Sequence, residues 1–81
     1  MKINIRYFGP AREAVGIEIE EMIVSTGISV AGLRELLLEQ HPHFSTLAGA
    51  SRFAVNMDYA LDSDIIPEGA EVAVIPPVAG G

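Results

Sequence analysis

The sequence predicts an α+β fold, a mixed sheet of about five strands wrapped around one main helix. Three observations predict it. The opening Lys2-Ile3-Asn4-Ile5-Arg6-Tyr7-Phe8 alternates with period two, residues 30–40 carry apolar side chains at helical spacing, and Glu71-Val72-Ala73-Val74-Ile75 is apolar almost throughout. A chain of 81 residues suits one small domain. The domain is expected over residues 1–75, followed by an extended tail over 76–81.

The first strand places Ile3, Ile5 and Tyr7 on one face and Phe8 on the other. Gly9-Pro10 breaks it, and Pro10 suits the first turn of a short helix, Ala11 to Val15, closed by Gly16. Arg12 and Glu13 read first as surface charges on that turn. Ile17 to Val24 is a second strand, with its glutamates on the wet face and a slip or bulge near Glu20-Glu21. A row of glutamates on a solvated face lacks the environmental asymmetry that acid–base work by paired carboxylates requires.

Ser29 is the expected N-cap of the main helix, Val30 to Gln40, whose Val30, Leu33, Leu36, Leu37 and Gln40 recur at helical spacing. Arg34, Glu35 and Glu39 are placed toward water. Pro42 ends the helix. His41 and His43 without a third ligand make a poor metal site, and His41 suits a helix C-terminus. Phe44 and Leu47 cover one end of the core. Arg52 to Asn56 is a third strand, Asn56-Met57-Asp58 a hairpin turn, and Tyr59 to Leu61 a short return strand. The acids of Asp62-Ser63-Asp64 cap backbone N–H groups. After the turn at Pro67-Glu68-Gly69, the apolar last strand belongs inside the sheet, beside the first.

Composition removes several function classes. Hydrophobic residues make up 49% of the chain, too many for a disordered protein. No apolar run approaches the roughly 18 residues of a membrane span, and the polar–apolar start is unlike a signal peptide, so a cytoplasmic protein is expected. The net charge of −6, with basic residues spread singly, argues against nucleic acid and fits a partner with a basic surface. With no cysteine, there is no thiol nucleophile, disulfide or Cys zinc site.

The chain closes Ile75-Pro76-Pro77-Val78-Ala79-Gly80-Gly81. Gly80 and Gly81 lack Cβ atoms, so this end fits a slot too narrow for side chains. The prolines stop the strand and favour a stiff, extended exit. At roughly 3.3 Å per residue, Pro76 to Gly81 reaches on the order of 20 Å.

The stretches Tyr7-Phe8 to Arg12-Glu13 and Gly16, Phe53-Ala54-Val55-Asn56, and Glu68-Gly69-Ala70-Glu71-Val72-Ala73-Val74-Ile75-Pro76-Pro77-Val78-Ala79-Gly80-Gly81 resemble the ubiquitin-like β-grasp sulfur carriers, in particular those of molybdopterin synthase. The resemblance runs end to end, and the closing Gly-x-Glu-Val-Ala…Pro-Pro-Val-x-Gly-Gly is its most specific part. The family commonly has Asp where this chain has Ala70, a turn position, so that departure is expected to touch local turn chemistry alone.

The resemblance implies a β-grasp fold with a flexible Gly-Gly tail and a role in molybdenum cofactor biosynthesis. An adenylating, E1-like enzyme would use ATP to activate the Gly81 carboxylate. A sulfur donor would then displace AMP to leave a thiocarboxylate. Pro76, Pro77, Val78, Ala79 and Gly80 would carry that group into the large subunit of a heterotetrameric synthase, where cyclic pyranopterin monophosphate receives the sulfur. The resemblance implies no permanently bound cofactor or metal, and no catalytic side chain of the chain's own. It also places Phe8 and Ile75 in the subunit interface. Phe8, Ile75 and Val78 are expected to form one apolar surface with Arg12 at its polar rim; the competing role for Phe8 is core. Alternatives are a ubiquitin-like modifier joined through Gly81 to lysines, a carrier for thiazole (thiamine) synthesis, and a binding module with an inert tail.

Overall fold

In the computed structural model, which describes residues 1–77, the alternating opening segment forms β1 (Lys2–Tyr7), followed by α1 (Gly9–Val15), β2 (Ile19–Ile23) and α2 (Val30–Gln40). A 3-10 turn at Pro42–Phe44 and a single α turn, α3 (Ser45–Ala48), lead to β3 (Arg52–Val55), β4 (Asp58–Ala60) and β5 (Glu71–Ile75). The strands lie in the order β2-β1-β5-β3-β4. β5 is parallel to β1 and antiparallel to β3, which makes the sheet mixed and sets the last strand at its centre beside the first.

One core joins the inner face of the sheet to α2. Ile3, Ile5, Tyr7, Phe53, Val72 and Val74 from the strands meet Val30, Leu33 and Leu37 from the helix. The helix begins as its sequence directs, with Ser29 accepting the Gly32 N–H at 3.1 Å. The buried stripe is narrower than its spacing suggested, for Leu36 is half-buried and Gln40 exposed. Arg34, expected toward water, lies against the protein. Its guanidinium donates to the Ala48 and Ser51 carbonyls, pairs with Asp62 at 2.7 Å and sits 4.8 Å from the centre of the Phe53 ring. The free carbonyls of the turn after α3 draw it inward. Asp64, by contrast, caps as expected, accepting the Leu61 N–H at 2.8 Å.

β2 departs from its expected form. It is shorter, and its register on β1 runs unbroken from Lys2↔Ile23 to Arg6↔Ile19, with no bulge. Met22 and Val24 face inward, so Glu20 shares the inner face and Ile19 and Ile23 point outward, 56% and 71% exposed. Ala70 also corrects an expectation. Its N–H closes the turn onto the Pro67 carbonyl at 3.3 Å, but its methyl is buried, so the departure from Asp reaches the core as well.

The β3–β4 hairpin turns on Asn56 and Met57, both at positive φ (49° and 74°), as a type I′ two-residue turn requires. Asparagine tolerates this region, whereas methionine is strained there. Met57→Gly is therefore expected to raise the free energy of unfolding by about 0.5–1 kcal/mol, strain relief exceeding the entropy glycine adds to the unfolded chain. Urea denaturation of the two proteins checks it.

Candidate functional site

The site expected at the chain's end is built on β5. Parallel pairing of Tyr7 with Val74 brings Phe8, the residue after β1, alongside the end of β5 at Ile75. Phe8 is extended (φ −118°, ψ 149°), and Gly9, at φ +49°, then turns the chain into α1. Because Phe8 follows inward-facing Tyr7, its ring emerges on the outer face, 44% exposed, and it is not a core residue. Pro76 is buried and Pro77 exposed, while Val78, Ala79, Gly80 and Gly81 lie outside the described residues.

Phe8 and Ile75 border a groove on the outer face, shared with Arg6, Ala54, Met57, Tyr59 and Ala73. The strand registers explain its shape. Arg6 pairs with Ala73, Ala73 with Ala54, and Ala54 with Tyr59, so one row across the sheet has two small residues at its centre. Larger side chains wall this low row. The Arg6 guanidinium lies 5.5 Å from the centre of the Phe8 ring and 3.8 Å from a Glu71 carboxylate oxygen; Arg52 lies 5.1 Å from the centre of the Tyr59 ring. The groove is thus apolar in its floor, with the Arg6–Glu71 ion pair on one wall and Arg52 behind the Tyr59 ring on the other side.

On the opposite face, Tyr7, Glu20 and His41 form a polar cluster. The Tyr7 hydroxyl donates to Glu20 Oε1 at 2.7 Å, and His41 Nε2 lies 2.9 Å from the same oxygen. The Tyr7 and His41 rings meet edge to face at 6.0 Å. The cluster follows from the Ile5↔Glu20 pairing, which carries the carboxylate inward, toward the end of α2. Burial, and then the hydrogen bond to Glu20 and its charge, push the Tyr7 phenol well above its ordinary value of 10.0. A raised folded value favours the protonated phenol, so stability from this group is complete below pH 10 and falls as pH rises beyond it. The slope should be about 1.4 kcal/mol per pH unit above roughly pH 10, and Tyr7→Phe should remove it. Urea denaturation between pH 9 and 11 compares the two. His41 therefore answers to Glu20 as well as to its helix end; among the described residues no three His, Asp or Glu side chains gather as a metal site.

The ThiS family matches residues 5–81. The chain belongs to the ThiS family. A curated relative, the molybdopterin synthase sulfur carrier subunit of Mycobacterium tuberculosis, is 38% identical over 82 residues, covering 100% of this chain and 99% of that protein. Among solved structures, a putative molybdopterin converting factor subunit 1 from Pyrococcus furiosus is 27% identical with a TM-score of 0.86, covering 96% of this chain and 99% of that one. SAMP1 of Haloferax volcanii, 21% identical, also has a TM-score of 0.86 with full coverage of both chains. A complex of subunits 1 and 2 of the Helicobacter pylori molybdopterin-converting factor matches at 22% identity and a TM-score of 0.71, covering 100% of both chains. The last two establish the shared fold, a ubiquitin-like β-grasp.

In this ThiS-family chain the structure brings Phe8 and Ile75 together, as their sequence positions suggested. Arg12 is exposed on α1 and does not line their groove; Arg6 is the cation against Phe8. Arg6 was legible in principle, being two residues before Phe8 on the same strand face. Met57 and Tyr59 were not, since only the β3–β4 and β3–β5 registers carry them there.

Proposed function

We propose that this ThiS-family chain is a sulfur carrier for molybdenum cofactor biosynthesis, working through the carboxylate of Gly81. The full-length match to sulfur carrier subunits, ending in the Gly-Gly of this sequence, carries the proposal. A carboxylate is a poor electrophile until one oxygen becomes a leaving group. Attack of a Gly81 oxygen on the α-phosphorus of ATP, in an adenylating enzyme, releases pyrophosphate and forms an acyl-adenylate. A sulfur nucleophile then adds at the acyl carbon, and AMP leaves with the bonding electrons. The thiocarboxylate is an anionic nucleophile on a narrow arm of Pro77 to Gly80. In the large synthase subunit it donates sulfur to cyclic pyranopterin monophosphate, and catalytic side chains there belong to that partner. On this proposal the chain holds no cofactor and works in the cytoplasm; the described residues contain no helix long and apolar enough to cross a membrane.

The test is to incubate the protein with its activating enzyme, ATP and a sulfur donor, then weigh it intact. Replacement of one oxygen by sulfur supports a carrier. Gly-Gly remnants on lysines of other proteins, with no thiocarboxylate, would instead mark a modifier, whose fold this chain shares through SAMP1.

The Phe8–Ile75 groove is the proposed seat of the large subunit. Truncating an aromatic anchor in such a contact costs about 2 kcal/mol or more of binding. Phe8→Ala should therefore weaken subunit affinity by at least about tenfold, with urea stability nearly unchanged because the ring is already 44% exposed. Titration calorimetry with the large subunit measures the first quantity, and lost stability at unchanged affinity would remove Phe8 from the contact.

A further inference from the structure

β2 is an edge strand, paired among the described residues with β1 alone. The Val24 N–H donates to the Met1 carbonyl and the Tyr7 N–H to the Glu18 carbonyl, both at the ends of this ladder. In an antiparallel ladder such hydrogen-bonded pairs recur at every second position. The backbone N–H and C=O of Ile19, Glu21 and Ile23 therefore point away from β1, along an open edge. All three residues are exposed. Such an edge is a template for an added strand.

Beside this edge runs a cleft between β2 and α2. Val24, Ile28 and Leu36 make its apolar part, and Glu35 and Glu39, one helical turn apart, make its rim. Gly32 keeps it open, for a Cβ at that helix position would lie 3.1 Å from the Ile28 side chain. A strand added at the edge would turn alternate side chains into this cleft, and the others would lie along Ile19 and Ile23 on the outer face. The rim is acidic, Glu35 and Glu39, in a chain of net charge −6, while Glu21 on the strand is paired with Lys2 at 3.5 Å and the N-terminal ammonium donates to the Val24 carbonyl. A second copy would bring like charges together across the seam, whereas lysine or arginine on the incoming segment would be attracted. Ile23 pairs with Lys2, at the end of β1 far from Tyr7 and Phe8, so a segment seated there leaves the end of β5 clear.

We propose that the free edge of β2 and the cleft against α2 take up an extended segment of a partner protein, aliphatic at alternate positions and flanked by basic residues. Backbone hydrogen bonds would supply affinity, and the cleft and its rim specificity. The proposal is independent of the chemistry at Gly81.

The test titrates the isotope-labelled full chain with a short synthetic peptide whose core alternates isoleucine and threonine between paired lysines. Saturable amide shifts are expected along Ile19 to Ile28 and Gly32 to Glu39. Binding should weaken at least about tenfold when the lysines become glutamates or a central residue becomes proline. Glu35→Lys combined with Glu39→Lys should weaken it similarly and Ile23→Glu should abolish it, while deleting Gly81 should change nothing. No saturable shift, shifts centred on Phe8 and Ile75, or affinity indifferent to the charge reversal would each overturn the proposal. So would a dimer of the free protein, seen by sedimentation, that Ile23→Glu dissociates, since a second copy would then be the occupant.

Discussion

A chain carrying one bulky residue beyond Gly81 should fold normally and carry no sulfur. The extra residue moves the reactive carboxylate by roughly 3.3 Å and places a Cβ where Gly80 and Gly81 have none. Displacing a reacting group by even 1 Å can lower a rate about 100-fold. Adenylation should therefore fall by more than that, and intact-mass analysis after incubation with activating enzyme, ATP and sulfur donor should find the protein unchanged. The urea midpoint should match the parent's, because the ladder and core end with β5 and Pro76. If an extended chain that is not trimmed back takes up sulfur at the parent's rate, the proposed chemistry at Gly81 is wrong.

Local signals in the sequence were legible where one structural requirement dominated. Alternation in Lys2–Tyr7, the Ser29 cap and leucine stripe of α2, and the apolar run of β5 each lead directly to the element observed. The form of β2 was ambiguous because Ile17 and Ile19 fall on one phase of the strand and Met22 and Val24 on the other. A strand without a bulge can satisfy only one phase. The sheet follows Met22 and Val24, which join the core, and leaves the isoleucines of the other phase outside. Arg34 was misread for a different reason: its carbonyl partners lie 14 and 17 residues away. The outer groove depends on three registers at once, so Phe8 and Ile75 were accessible from local pattern while Tyr59 was not.

Phe53 is where the fold and the proposed tail mount are most closely coupled. Its ring is 1% exposed, it pairs with Val74 on β5 and Ala60 on β4, and the Arg34 guanidinium covers it. Phe53→Ala should destabilise the protein by about 3–5 kcal/mol, from lost burial and the cavity left behind. A domain of this size has about 4–12 kcal/mol in total, so much of its stability should disappear. Phe53→Leu, which keeps most of the packing but loses the stacked cation, should give an intermediate loss near 1–2 kcal/mol. Comparison with Phe8→Ala makes the test sharp, because the substitution is the same and only the face of the sheet differs. The inner aromatic should shift the urea midpoint strongly, with sulfur loading falling only as the folded population falls. The outer one should leave the midpoint nearly fixed while subunit affinity drops. Equal stability losses in the two variants would mean that the two faces do not divide the work between core and contact.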